Sequence, residues 1–152
     1  MSIFLSRYLN KIDKKGRISI PAGYRAILSD ENLNGFIVYP SFKNNCLEGC
    51  SMTRLNELSL IIQNLDPYSA ERDAFETIVM GEAVQLQFDN EGRVIIPNYL
   101  MHQVEITDQA SFIGKGLVFE IWNPMNFEKH LKAAKEIAQE NRQILKNNFI
   151  NK

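Results

Sequence analysis

The amino-acid sequence predicts an α+β protein assembled from two similar halves, each alternating short strands with helices. Three observations lead there. The segment YLNKIDKKGRISIPAGYRAIL (8–28) lies without a gap over VQLQFDNEGRVIIPNYLMHQV (84–104), at an offset of 76 residues. Both copies carry DxxGR between runs of apolar and β-branched residues, and both then reach Ile-Pro. Behind each copy stands a second pair of strand-like runs, followed by a long segment with apolar residues at helical spacing.

The elements follow in order. Asp13 and Asp89 can accept hydrogen bonds from turn amides. Gly16 and Gly92 can take the positive φ that closes a tight turn. DxxGR therefore reads as a hairpin connection, with these four residues shaping the loop. Pro21 and Pro97 end the strand and suit a helix start, so AGYRAIL and NYLMHQV should each form one or two helical turns. Next come Phe36–Pro40 and a weaker strand near Cys46–Gly49, matched in the second half by SFIG and LVFEIW around Lys115-Gly116. A helix should start near Ser51 or Thr53 and run through MTRLNELSLIIQNL. Asp66-Pro67 opens another, from about Pro67 to Met80, with Gly81 as its stop. Leu60, Ile61, Ile62 and Leu65 against Phe75, Ile78 and Val79 would make these two an αα-hairpin.

Asn123 as N-cap and Pro124 at the first helical position start the last helix. It should run through FEKHLKAAKEIAQENRQILKNN, with Leu131, Ala134, Ile137, Ala138, Ile144 and Leu145 on one stripe. Its Lys129, Lys132, Lys135, Arg142 and Lys146, interleaved with Glu128, Glu136 and Glu140, read as a solvated face with i,i+4 pairs. The expected divisions are 7–54 and 83–126 for the repeated units, 55–82 for a helical linker and 127–152 for the terminal helix. The final Asn151-Lys152 is expected to fray.

Composition excludes several classes. At 152 residues and 45% hydrophobic, the chain can bury a core. No apolar run approaches the roughly 20 residues of a membrane span, and Arg7 interrupts the N-terminal apolar stretch too soon for a secretory signal. A cytoplasmic protein is expected. Cys46 and Cys50 are two thiols with His102 and His130 far away in sequence, which does not make a tetrahedral zinc site. Reduced thiols, no metal and no cofactor are expected. No nucleophile elbow, Ser-His-Asp order or metal pair is evident, so no catalytic residues are assigned and no enzyme is expected. The formal net charge is −1, yet between Met1 and Leu28 six cations (Arg7, Lys11, Lys14, Lys15, Arg17 and Arg25) face Asp13 alone. Such a local patch matters more for phosphate binding than the total.

The run DKKGRISIP is similar to the looped-hinge hairpin of AbrB/SpoVT-type DNA-binding domains. Two copies, together with NLDPYSAERDAFETIVMGEAVQLQFDNEGRVIIP and LVFEIWNPMNFEKH, resemble the MraZ family over nearly the whole chain. The resemblance implies two tandem swapped-hairpin AbrB-like β-barrel half-units, fused into one pseudo-twofold domain with a helical linker and a C-terminal helix. It implies assembly into rings, association with the nucleoid, and binding to direct repeats in the promoter of the division and cell-wall gene cluster, the protein's own gene included. DxxGR is that family's DNA-binding feature. One departure stands out: where such first halves read CLLLYP, this chain has CLEGCS, so that strand is expected to be short or distorted.

Double-stranded DNA requires cations at phosphate spacing and a few groups at base edges. A two-stranded ribbon can enter the major groove. Arg17 and a turn lysine, Lys14 or Lys15, are expected to reach bases or phosphates beside Lys11, with Arg7 and Arg25 adding backbone contacts. In the second loop Arg93 faces Asp89 and Glu91, so the first repeat should dominate. One hairpin carries few cations, and several subunits addressing several DNA repeats would supply the rest. The aromatics Tyr8, Phe36, Phe88, Phe112, Phe119 and Trp122 read as core or interface residues. The rival readings are an AbrB-like antitoxin that binds a toxin and its own promoter, and a ring-forming protein without DNA activity.

Overall fold

The computed structural model describes residues 2–29 and 33–150. The Asn151-Lys152 tail expected to fray lies outside them. In chain order the elements are β1 (Arg7–Lys11), β2 (Arg17–Ser19), α1 (Ala22–Leu28), β3 (Gly35–Pro40), β4 (Leu47–Cys50), α2 (Met52–Gln63) and α3 (Ala70–Phe75). A π-helical turn, Glu76–Met80, follows. The second half holds β5 (Val84–Gln87), β6 (Arg93–Ile95), α4 (Asn98–Gln103), β7 (Gln109–Gly114), β8 (Phe119–Trp122), α5 (Pro124–Glu140) and α6 (Arg142–Ile150).

Six strands form one antiparallel sheet in the order β1-β7-β8-β4-β3-β5, and β2 pairs with β6 separately. Outward from the central β4–β8 pair, each strand finds its repeat counterpart at the same place on the other side: β3 opposite β7, then β5 opposite β1. DxxGR does close a tight local turn, with Ile12 bridging Ile18 and the Asp13 amide donating to the Arg17 carbonyl at 2.9 Å, but the strands it joins pair elsewhere. β1 pairs with β7 and β2 with β6, both from the other half. The pairing that wins is the one that buries Ile18 against Val94, 1% and 2% exposed, in the shared core.

Phe119 stands in the middle of that core. Its ring centroid lies 5.0 Å from those of Phe4 and Tyr24, 5.2 Å from Phe36 and 6.4 Å from Phe112, spacings typical of favourable edge and tilted contacts. Phe36 and Trp122 are also buried, Phe88 packs partly buried, but Tyr8 on the edge strand is 40% exposed and touches only the edge of Tyr24 among the rings.

The strand expected to be short or distorted is short, four residues like its counterpart β8, but regularly paired. All four residues of β4 are buried, and it pairs with β3 and β8. Glu48 is tolerated because the Tyr39 hydroxyl donates to its Oε1 at 2.8 Å. Across the strand pair, Glu120 accepts from Trp122 Nε1 at 2.9 Å and from Asn44 Nδ2 at 3.4 Å, with Lys115 Nζ at 3.7 Å. Gly49 is required: a Cβ there would stand 2.3 Å from Phe119 Cζ.

The linker departs from expectation in two ways. Its second helix starts at Ala70 rather than Pro67, because Asp66 Oδ1 accepts from the Tyr68 amide in a turn and Ser69 Oγ caps the helix through the Arg72 amide. Nor do the helices form a self-sufficient hairpin. Leu60, Ile61, Leu65 and Ile78 are exposed, while Met52, Leu55 and Leu58 of α2 and the buried Val79 pack onto Ile37, Tyr39 and Cys50 of the sheet. Gly81 does follow the last turn.

The C-terminal helix is capped as expected by Asn123, whose Oδ1 accepts from the Asn126 amide. It does not run through. Asn141 interrupts it at φ −117° and ψ 18°, its amide donating to the Ile137 carbonyl at 3.1 Å and its Nδ2 to the same oxygen at 2.8 Å. Phe127 is buried beside Trp122 and Leu131 packs on them, but Ile137, Ile144 and Leu145 of the apolar stripe face outward. Among the expected acidic partners on this helix, Glu128 pairs not along the helix but with Arg7.

Cys46 and Cys50 are both free and buried. Burial pushes both thiols up, Cys50 to about 12. The native protein is therefore expected to be inert to a disulfide colour reagent at pH 8, with both thiols reacting once urea unfolds it. A stoichiometric native reaction within seconds would contradict the burial. No group of three or more metal-ligating side chains gathers among the described residues.

Candidate nucleic-acid interface

The two DxxGR loops have the same internal construction. Asp13 Oδ1 accepts from the amides of Lys15 and Arg17, both at 2.9 Å, and its Oδ2 accepts from Arg17 Nε at 2.7 Å. Asp89 Oδ1 accepts from the amides of Glu91 and Arg93, again at 2.9 Å, and its Oδ2 from Arg93 Nε at 2.8 Å. Gly16 and Gly92 close the loops at φ of +83° and +76°, a region that costs other residues energy. The Arg17 and Arg93 amides are the largest cause holding the two carboxyls below the usual aspartate range, with the arginine side chains adding to it.

Pairing of β2 with β6 sets the loops side by side. Arg93 Nη1 lies 3.9 Å from Asp13 Oδ2, and Arg17, Asp89 and Arg93 line one shallow groove. The two repeats therefore present one surface rather than two. Lys11 at the end of β1 and Lys14 and Lys15 in the first loop are exposed, and among the described residues no carboxylate pairs with the ammonium of Lys14 or Lys15. Asn10, which the sequence did not single out, ties β1 to β2 by donating from Nδ2 to the Ser19 carbonyl at 2.7 Å. Its only trace in the sequence is that its repeat counterpart is the apolar Leu86.

Of two further expected contributors, one stands away from the loops and one joins the second loop. Arg7 lies at the far end of β1, with Nη1 3.3 Å from Glu128 Oε1 and its guanidinium 5.5 Å above the Phe127 ring, where it holds α5 to the sheet. Arg25, on α1 of the first half, crosses to the second loop. Its Nε donates to the Ile20 carbonyl at 3.1 Å, and a Cβ at Gly92 would stand 2.7 Å from its guanidinium carbon. The second loop thus has a cation besides Arg93, supplied by the other half. The repeat counterpart of Arg25 is Met101, which is buried.

The chain is 57% identical over 147 residues to the transcriptional regulator MraZ of Rickettsia akari (strain Hartford), across 97% of this chain and 99% of that protein. The MraZ protein of Rickettsia conorii (strain ATCC VR-613 / Malish 7) matches at the same identity and coverage, and that of Rickettsia typhi (strain ATCC VR-144 / Wilmington) at 55%. The chain belongs to the MraZ family. The family model described as "MraZ protein, putative antitoxin-like" matches residues 79–147, the part that carries the second DxxGR loop and α5. The alignments with the MraZ relatives cover 97% of this chain, and so take in the first loop and α1 as well.

Proposed function

We propose that this MraZ-family chain is a sequence-specific DNA-binding transcriptional regulator whose duplex-binding surface is the paired DxxGR loops. The observation that carries the reading is the adjacency of the two loops, with Lys14 and Lys15 exposed at one tip and Arg17, Arg25 and Arg93 beside them. The names of the MraZ relatives as transcriptional regulators support it. Lysines at the tip suit phosphates, while Arg17 has the planar fork that suits a guanine edge or a phosphate. The exchange of strand partners between halves supports a tandem swapped-hairpin arrangement, one chain doing what two single-repeat chains would do as a dimer.

The expected targets are direct repeats upstream of the protein's own gene, in the promoter of the division and cell-wall gene cluster. A ring of subunits on those repeats would multiply the few cations that each chain offers. Exposed Ile137, Ile144 and Leu145 on the C-terminal helices, and Leu60 and Ile61 on α2, are apolar surface available for such assembly. The described helices include none long and apolar enough to cross a membrane; a regulator of this kind would work in the cytoplasm, on the nucleoid.

Footprinting on the DNA upstream of the gene tests the reading. Protection is expected at evenly spaced short repeats, weakening steeply as salt rises. Absence of protection at low salt, where phosphate attraction is strongest, would overturn it. The antitoxin wording of the family description keeps a second reading in play: a small toxin co-purifying in stoichiometric amount would favour an antitoxin that also binds its promoter.

A further inference from the structure

The loops share a framework but hold their arginines differently. Arg17 Nε meets Asp13 Oδ2, and Lys15 stands two residues before it. Arg93 Nε meets Asp89 Oδ2, and its Nη1 also lies 3.3 Å from Glu91 Oε2 and 3.9 Å from Asp13 Oδ2. Carboxylates from both loops therefore surround one guanidinium. Lys15 and Glu91 are repeat counterparts, so the sign of a single side chain separates the two situations. A lysine repels the neighbouring guanidinium and leaves its terminal nitrogens for an incoming phosphate. A glutamate occupies one of them, Nη1.

We infer that Glu91 holds Arg93 inward as a tie between the two loops and withdraws it from DNA, whereas Lys15 leaves Arg17 free to contact the duplex. The inference rests on the DNA-binding reading above. Arg93 is then a positioning residue: it fixes the spacing of the loops, and Asp13, at 3.9 Å, is the point where it grips the first one. Each of these ion pairs is exposed enough to add little to global stability. Their effect is on which way one side chain points, and a small energy suffices for that.

The test is binding of the upstream DNA fragment across a salt series by the full chain and its variants. Glu91→Gln should tighten binding by roughly threefold to tenfold and steepen the salt dependence by about 0.9 as Arg93 gains a phosphate. Removing a carboxylate near DNA raises affinity by itself, so the same substitution is repeated in an Arg93→Met background, which keeps the aliphatic stem. There the gain should largely vanish. Arg93→Met alone should leave the salt slope unchanged and lower the ratio of specific to non-specific binding, because the loop spacing relaxes without loss of a phosphate contact. Equal gains from Glu91→Gln in both backgrounds, or a slope reduced by about 1 in Arg93→Met, would overturn the inference while leaving DNA binding intact. Failure of the unmodified chain to bind at low salt would instead overturn the DNA-binding reading, and the inference with it. Thermal unfolding of each variant identifies any that are simply misfolded, and Glu91→Lys then serves as a second, stronger version of the same release.

Discussion

Phe119→Ala is expected to lower the unfolding free energy by about 3–5 kcal/mol, read as a lower urea midpoint at unchanged slope. The side chain is fully buried, and four other rings pack around it: Phe4, Tyr24, Phe36 and Phe112. These rings come from both halves of the chain, so the cavity would open where the halves join. Gly49 gives an internal check. Gly49→Ala alone forces a methyl against the Phe119 ring, at 2.3 Å from its Cζ, an overpacking that costs about 1–3 kcal/mol. In the double variant the missing ring leaves room for that methyl, so the two losses should combine to less than their sum. Strict additivity would mean that Phe119 and Gly49 do not share one space.

Simultaneous replacement of Lys14, Lys15 and Arg17 by alanine should weaken binding of the upstream DNA by at least on the order of 100-fold near 0.1 M salt and flatten the salt dependence by about 3. All three side chains project from one loop, and the loss should be largely independent of DNA sequence for the lysines. Stability should barely change. Lys14 and Lys15 are exposed, and the Arg17–Asp13 pair lies at the surface. A triple variant with an unaltered salt slope would move the DNA away from this loop and leave Arg25 and Arg93 as the remaining candidates.

The repeat was legible because it is local: DxxGR, the Ile-Pro that follows and the helix caps Ser51 and Asn123 each act within a few residues. What could not be read were choices among distant partners. The turn chemistry of Asp13 and Gly16 describes a tight loop equally well whether its two strands pair with each other or with β7 and β6. CLEGCS read as a weak, distorted strand because its charge and its glycine are answered from elsewhere, by the Tyr39 hydroxyl and the Phe119 ring. The same holds for the site. Lys14, Lys15 and Arg17 could be placed from their spacing, but the crossing of Arg25 to the second loop depends on how the halves meet. The pairing of Arg7 with Glu128 was hidden for a related reason, since Glu128 lies on the last helix. Asn141 leaves helical geometry in the middle of an apolar stripe that reads as continuous.

The exchange of strand partners also governs how the chain can come off the ribosome. β1 waits for β7, roughly 100 residues later, and at translation speeds that interval lasts about 5–20 s. Throughout it the first half has a turn, a short helix and strands with open edges, but not the strands that complete its sheet. Folding of the two halves is therefore one event, late and dominated by distant contacts. Neighbouring nascent chains on one messenger RNA, each lacking its second half for those seconds, are positioned to complete one another's sheets instead of their own.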